Sequence, residues 1–238
     1  MIIRLRSLRL RHAGVASALA AILFCSLGFP AHAQKAKSIP EEIEWTWEVR
    51  PLHPDAKLPN VLLLGDSITR AYFPQVTKDL DGTANVYLMS SSISVGDPRL
   101  PNQIAEFAKM EGVSFRVVHF NNGMHGWGYT EEQYKAAFPS FLKAVKKLAG
   151  SSQAMIWATT TPVRADATEA SNPRVDARND IANSQVKAAG IVIDDQHALM
   201  LQHQDLHLDA VHFQPSGAAL QGDQAAATIK TALTRLKG

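Results

Sequence analysis

The chain is 238 residues long, with 24 basic and 22 acidic side chains, a formal net charge of +2 and one cysteine. Those figures exclude a disulfide scaffold and leave no basic stripe of the kind that binds nucleic acid. The length suits one α/β domain with a substantial core, and no linker divides the sequence.

Residues 1–33 read as a secretory signal peptide. Arg4, Arg6, Arg9 and Arg11 form a basic patch without a nearby acid. An apolar run follows from Ala13 to about Phe29, and Ala31-His32-Ala33 sets small residues around a larger one. Cleavage is expected after Ala33, with export to the periplasm or beyond. The alternative is a membrane anchor, but the run is short against the ~20 residues of a spanning helix. Bulky Phe24 argues against lipid attachment at Cys25. The basic excess belongs to this leader: +2 less four arginines leaves the remainder near −2. The cysteine also leaves with it. No later segment is apolar and long enough to span a membrane, so no membrane association is expected after cleavage.

Residues 34–59 are largely polar, with Ile43, Trp45-Thr46-Trp47 and Leu52 among the few apolar positions, which predicts an irregular N-terminal arm packing its tryptophans on the domain. The domain itself is expected over 60–238. Asn60-Val61-Leu62-Leu63-Leu64 is continuously apolar, as suits a strand buried on both faces. A helix follows from Ile68 to Leu80, then a strand from Ala84 to Met89. A Ser- and Gly-rich loop stops at Pro98 and Pro101. The pattern then predicts a helix over Asn102–Met110 and a strand over Phe115–Phe120. A long helix opens at Thr130, with acids in its first turn and lysines near its end, matching the helix dipole. A strand over Met155–Thr159, a helix over Arg174–Ala189 ending at Gly190, a strand over Ile191–Ile193 and a helix from Pro215 to about Leu236 complete the chain. This β-α alternation predicts a five-stranded parallel sheet between two helical layers. Ligands of such sheets bind beyond the carboxyl ends of the strands. That rule selects Gly65-Asp66-Ser67, Ser90–Gly96, Asn121–Gly126, Thr160–Arg164 and the stretch before Pro215.

Ser67 stands where the first buried strand turns into a helix, so its hydroxyl faces the crevice above a helix N-terminus. A helix cap is the bland reading of such a serine. Asp209-Ala210-Val211-His212 precedes the last helix and belongs to the same end of the sheet. Its spacing lets a carboxylate hold one ring nitrogen of His212 while the other faces Ser67. Asp205 is a second candidate for the orienting acid. His203, Asp205 and His207 nearby could instead make a surface loop or a weak metal site, but no ligand spacing supports a metal.

Leu64-Gly65-Asp66-Ser67-Ile68-Thr69 resembles the first block of the SGNH, or GDSL-like, hydrolases, and Asp209-x-x-His212 resembles their last. Block order and element order agree over nearly the whole chain after the leader. The resemblance implies a three-layer α/β/α, flavodoxin-like fold and a serine esterase with Ser67 as nucleophile, His212 as base and Asp209 as orienting acid. No Gly-x-Ser-x-Gly elbow is present. The family's oxyanion hole would come from the Ser67 N–H, from Gly96 after the second strand, and from the third block. That block departs from Gly-x-Asn-Asp: Gly123-Met124-His125-Gly126 puts His125 where an asparagine is usual. A neutral imidazole N–H can also donate to an oxyanion, and Asn122 is the alternative donor. Gly96 has a second reading as a simple turn residue. Trp127 and Tyr129 either wall the crevice or pack under the next helix. Arg164 either binds a substrate anion or pairs with an acid. His119 reads as a core histidine, and His197 and Met200 as packing on a short helix.

The resemblance, with the expected export, implies hydrolysis of short-chain esters, carbohydrate O-acetyl esters among them, through an acyl-enzyme and without cofactor or metal. The partner expected is a small-molecule or carbohydrate ester, with oligomeric state left open. Two other readings stand beside it: an O-acyltransferase with the same triad, and a non-catalytic carbohydrate-binding protein on the same fold.

Overall fold

The computed structural model describes residues 37–168 and 170–236, so the signal-peptide reading lies outside the described residues. Six strands form one sheet: β1 (Thr46–Val49), β2 (Asn60–Gly65), β3 (Asn85–Ser91), β4 (Val117–Phe120), β5 (Met155–Ala158) and β6 (Val192–Asp194). Their order is β1-β3-β2-β4-β5-β6, with β1 antiparallel to β3 and every other pair parallel. The helices are α1 (Ser67–Asp79), α2 (Leu100–Glu111), α3 (Glu131–Ala149), α4 (Asn172–Ala188), α5 (Gln196–Leu201) and α6 (Pro215–Arg235).

The expected five strands are therefore six. The additional strand lies in the arm, which is not irregular throughout: Thr46 pairs with Ser91 and Val49 with Leu88 along the outer edge of β3. Its four residues are partly or fully exposed, so no buried apolar run marks it. The parallel strands behave as their composition dictates. Val61 and Leu63 of β2 join one core cluster with α1 and α6, and Leu62 and Leu64 join the opposite cluster with α2, α3 and α4. Both strand faces being dry, the sequence shows no alternation.

The parallel strands run in the doubly wound order in which the first and third strands along the chain, here β2 and β4, lie side by side. Successive crossovers leave β2 and β4 in opposite directions, which opens a crevice at their carboxyl ends. Ser67 follows β2 and His125 follows β4, so the topology alone brings both to that crevice.

Candidate active site

The turn into α1 is tight. A Cβ on Gly65 would lie 2.0 Å from the Thr69 hydroxyl oxygen, so only glycine lets the strand end approach the helix this closely. The helix cap is Asp66, not Ser67: the Asp66 Oδ1 accepts the Ile68 N–H at 2.9 Å. Ser67 is left as the first helical residue with its side chain free for other work. Its N–H is one of the first-turn amides that no intrahelical carbonyl can reach.

On the other side of the crevice, residues 207–213 form a closed loop. His207 and Phe213 bridge its base and pack their tilted rings with centroids 4.3 Å apart. At the tip, Asp209 Oδ1 accepts the backbone N–H groups of Val211 (2.8 Å) and His212 (2.7 Å). Asp209 Oδ2 lies 2.9 Å from His212 Nδ1, and His212 Nε2 lies 2.8 Å from Ser67 Oγ. A carboxylate accepting Nδ1–H leaves the Nε2 lone pair facing the serine hydroxyl. Burial pushes the Asp209 carboxyl up, but the two backbone donors and His212 outweigh it and hold it at about 2. The form of Asp209 that faces His212 at neutral pH is therefore the carboxylate. Of the two candidate acids, the bond to His212 is made by Asp209. His203 and Asp205 make no bond to it, and His207 faces the carbonyls of Gln204 and Pro162. Among the described residues no cluster of ligands suited to a metal ion occurs.

Ser67, His212, His125 and Trp127 line one cleft of about 460 Å³, in the range of small-molecule sites, with Pro40 and Glu41 of the arm closing it. The third block is held from behind by Arg178 of α4, a buried guanidinium that donates to the carbonyls of Gly123, His125 and Gly126 at 2.8–2.9 Å. It also lies 4.4 Å from the Trp127 ring centroid, so Trp127 both packs and faces the cleft. From the front, Glu41 accepts the Gly126 N–H (2.8 Å) and meets His125 Nδ1 (2.9 Å). Gly126 has φ +74°, and a Cβ there would lie 2.2 Å from that of Ser94, so the block admits no side chain where the usual pattern has aspartate. Burial would lower the His125 pKa; the Glu41 bond and the charges of Asp66 and Glu41 outweigh it and raise the value.

Three expected residues stand elsewhere. Gly96 does not line the Ser67 cleft. Its N–H is turned to Ser94 Oγ (3.3 Å) and its α-carbon lies against the Tyr129 ring. It borders a separate hollow. Asn122 accepts from Val95 N–H and donates to the Ile93 carbonyl, so it clips β4 to the Ser-rich loop, and it is not among the residues that line the Ser67 cleft. Arg164 pairs with Asp166 at the surface, outside the cleft. Tyr129 is buried, bonded to Ile39 and Asp97. Sequence reasoning missed Glu41 and Arg178. For Arg178 a signal existed: it falls on the apolar stripe of α4 with Val175, Ala182 and Val186, where a cation needs buried partners. For Glu41, which lies 84 residues from His125, there was none.

Solved structures share this architecture. An acetyl esterase crystallised with acetate superposes with a TM-score of 0.60 at 16% identity, over 75% of this chain and 99% of that one. The chain has the SGNH-hydrolase fold. A member of the lipolytic G-D-S-L family from Veillonella parvula matches at TM-score 0.56 and 17% identity, over 72% of this chain and 98% of that one. The catalytic domain of peptidoglycan O-acetyltransferase A from Streptococcus pneumoniae matches at 0.53 and 21%, over 74% and 94%. No family model and no curated protein matches the sequence.

Proposed function

We propose that this SGNH-fold chain is an exported serine esterase acting on short acyl esters, with O-acetylated carbohydrate as the favoured substrate class. The observation that carries the reading is the continuous series Asp209–His212–Ser67, at 2.9 and 2.8 Å, opening into a cleft. His212 Nε2 takes the hydroxyl proton as Ser67 Oγ bonds to the ester carbonyl carbon. The tetrahedral oxyanion is met by the Ser67 N–H and by His125. The C–O bond to the alcohol then breaks, and His212 returns the proton to the leaving oxygen. A water repeats the sequence on the acyl-enzyme, with His212 again as base, and frees the acid. No step calls for a cofactor. The acetyl and carbohydrate parts draw support from the names of the fold neighbours, and the export part from the leader.

The acyltransferase reading differs only in the acceptor. It is favoured by one neighbour and by a mouth open enough to admit a sugar hydroxyl, since His212 is about a third exposed. A binding module has no use for an aligned carboxylate, imidazole and hydroxyl.

Hydrolysis of p-nitrophenyl acetate by the protein and by Ser67→Ala tests the assignment. The variant is expected to lose on the order of 10³-fold or more in kcat, since one member of such a unit carries the work of the whole. Equal activity in the two proteins would remove Ser67 from the mechanism. Transfer of the acetyl group from Ser67 to sugar hydroxyls in place of water would move the assignment to an acyltransferase.

A further inference from the structure

The arm carries a second acid–imidazole pair into the same cleft. Glu41 is fixed by two bonds: Oε1 accepts the Gly126 N–H at 2.8 Å, and Oε2 lies 2.9 Å from His125 Nδ1. The segment that presents it is itself pinned. Ser38 donates to Asp97 at 2.6 Å, Ile39 N–H donates to the Tyr129 hydroxyl, and Glu44 forms a two-pronged pair with Arg99. The His125 ring lies edge-on to Trp45 at 5.7 Å and cannot swing away on that side. Its Nε2 makes no hydrogen bond among the described residues, and His125 lines the cleft together with Ser67 and His212.

This geometry constrains the proton. A carboxylate at Nδ1 requires a hydrogen there. Neutral His125 would then carry its only proton on Nδ1 and present a lone pair at Nε2. Such a ring repels an oxyanion. It becomes a donor toward the cleft only when both nitrogens are protonated. The charged groups facing it favour that form. Glu41 and Glu42 come from the arm, and Asp66 from the N-terminus of α1, buried with Oδ2 unpartnered. Against them stand Arg178 behind the block and His212 across the cleft.

We propose that Glu41 is a positioning residue that holds His125 as an imidazolium, and that this cation, not a neutral amide or imidazole, is the side-chain donor of the oxyanion hole. The proposal rests on the esterase reading of Ser67. A donor of this kind gives stronger, charge-assisted stabilisation than the asparagine usual at this position. It also makes catalysis depend on the protonation of His125. Activity should fall on the alkaline side as the ring loses its Nε2 proton, while His212 must lose its own proton to work.

The test uses histidine labelled with ¹⁵N in the full chain, with kcat against pH for p-nitrophenyl acetate. In the native protein the neutral form of His125 should carry its proton on Nδ1, and kcat should drop through the same titration. In Glu41→Gln the single amide oxygen is needed by Gly126, so the amide NH₂ faces Nδ1. His125 should then be neutral with its proton on Nε2, its titration displaced to lower pH. The alkaline fall should disappear, with the plateau kcat reduced about tenfold or more and KM little changed. His125→Asn should likewise lose the alkaline fall and keep measurable activity. The proposal is overturned if His125 shows the same neutral tautomer and titration in Glu41→Gln as in the native chain, or if native kcat stays constant through that titration. Labelling of Ser67 by a serine-directed phosphonate separates the two levels. A protein that fails to label loses the esterase reading, whereas the His125 spectra report on Glu41 without any turnover.

Discussion

A single buried side chain decides whether the third block can hold its shape. Arg178 is essentially inaccessible and donates to three carbonyls of the loop after β4, with Glu131 as a carboxylate at 3.7 Å. Burial pulls its pKa down from the ordinary arginine value, the cost of carrying a cation into the core, yet a guanidinium remains charged there. Replacing it by methionine keeps an unbranched apolar stem but removes the guanidinium, and strands the carbonyls of Gly123, His125 and Gly126. The expected loss is about 3–5 kcal/mol of unfolding free energy, the scale of breaking a buried charged network. Lysine should rescue little, because one ammonium cannot span carbonyls that a planar fork reaches together. Urea unfolding at neutral pH of the native chain, Arg178→Met and Arg178→Lys measures both effects. A change under 1 kcal/mol in Met would mean that the block is held by Glu41 and Asn122 without help from α4.

At the scale of elements, local chemistry sets the boundaries and distant pairing sets the exceptions. Thr130 caps α3 with a reciprocal pair, accepting the Gln133 N–H while the Gln133 side chain accepts the Thr130 N–H. Thr130→Ala is expected to cost about 1 kcal/mol in the same unfolding assay and to turn over p-nitrophenyl acetate as the native chain does. Signals of this local kind made the parallel strands and five of the helices legible within about two residues. Each strand is a dry apolar run, and each helix opens or closes on a cap, a proline or a glycine. Edge strand β1 escaped because Thr46–Val49 is short and largely wet, and its identity comes from pairing with β3 some forty residues on. The site divides the same way. That Ser67, Asp209 and His212 come together could be read because each sits beside an element whose end is fixed. Gly96 misled because the loop after β3 folds its N–H back onto Ser94, which no spacing reveals. Glu41 depends on an arm docking across the sheet, a contact that only the folded chain contains.

The molecule as a whole is tied across its sheet by a buried acid that no catalytic step uses. Asp194, at the end of β6, meets His119 of β4 at 2.8 Å, Gln196 of α5 at 2.8 Å and Gln224 of α6 at 2.7 Å, so one carboxylate joins two strands and two helices. Burial pushes its pKa up, but the bonds from His119, Gln196 and Gln224 outweigh that and leave it below the ordinary carboxylate value. A carboxyl held lower in the folded than in the unfolded chain contributes stability that is complete above the unfolded value of about 4. That contribution drains away as the pH falls through the folded value. Asp194→Asn replaces an acceptor oxygen by a donor facing other donors, so at pH 7 the variant should unfold at lower urea than the native chain. The gap should then narrow below about pH 4, because only the native protein has this ionisation to lose. Asp97 and Asp209, both held at about 2, titrate in the two proteins alike and cancel from the difference. A gap that stays constant from neutral pH to acid would show that Asp194 acts through shape and not through its charge, leaving the acid sensitivity of the fold to be sought among the carboxylates of the cleft.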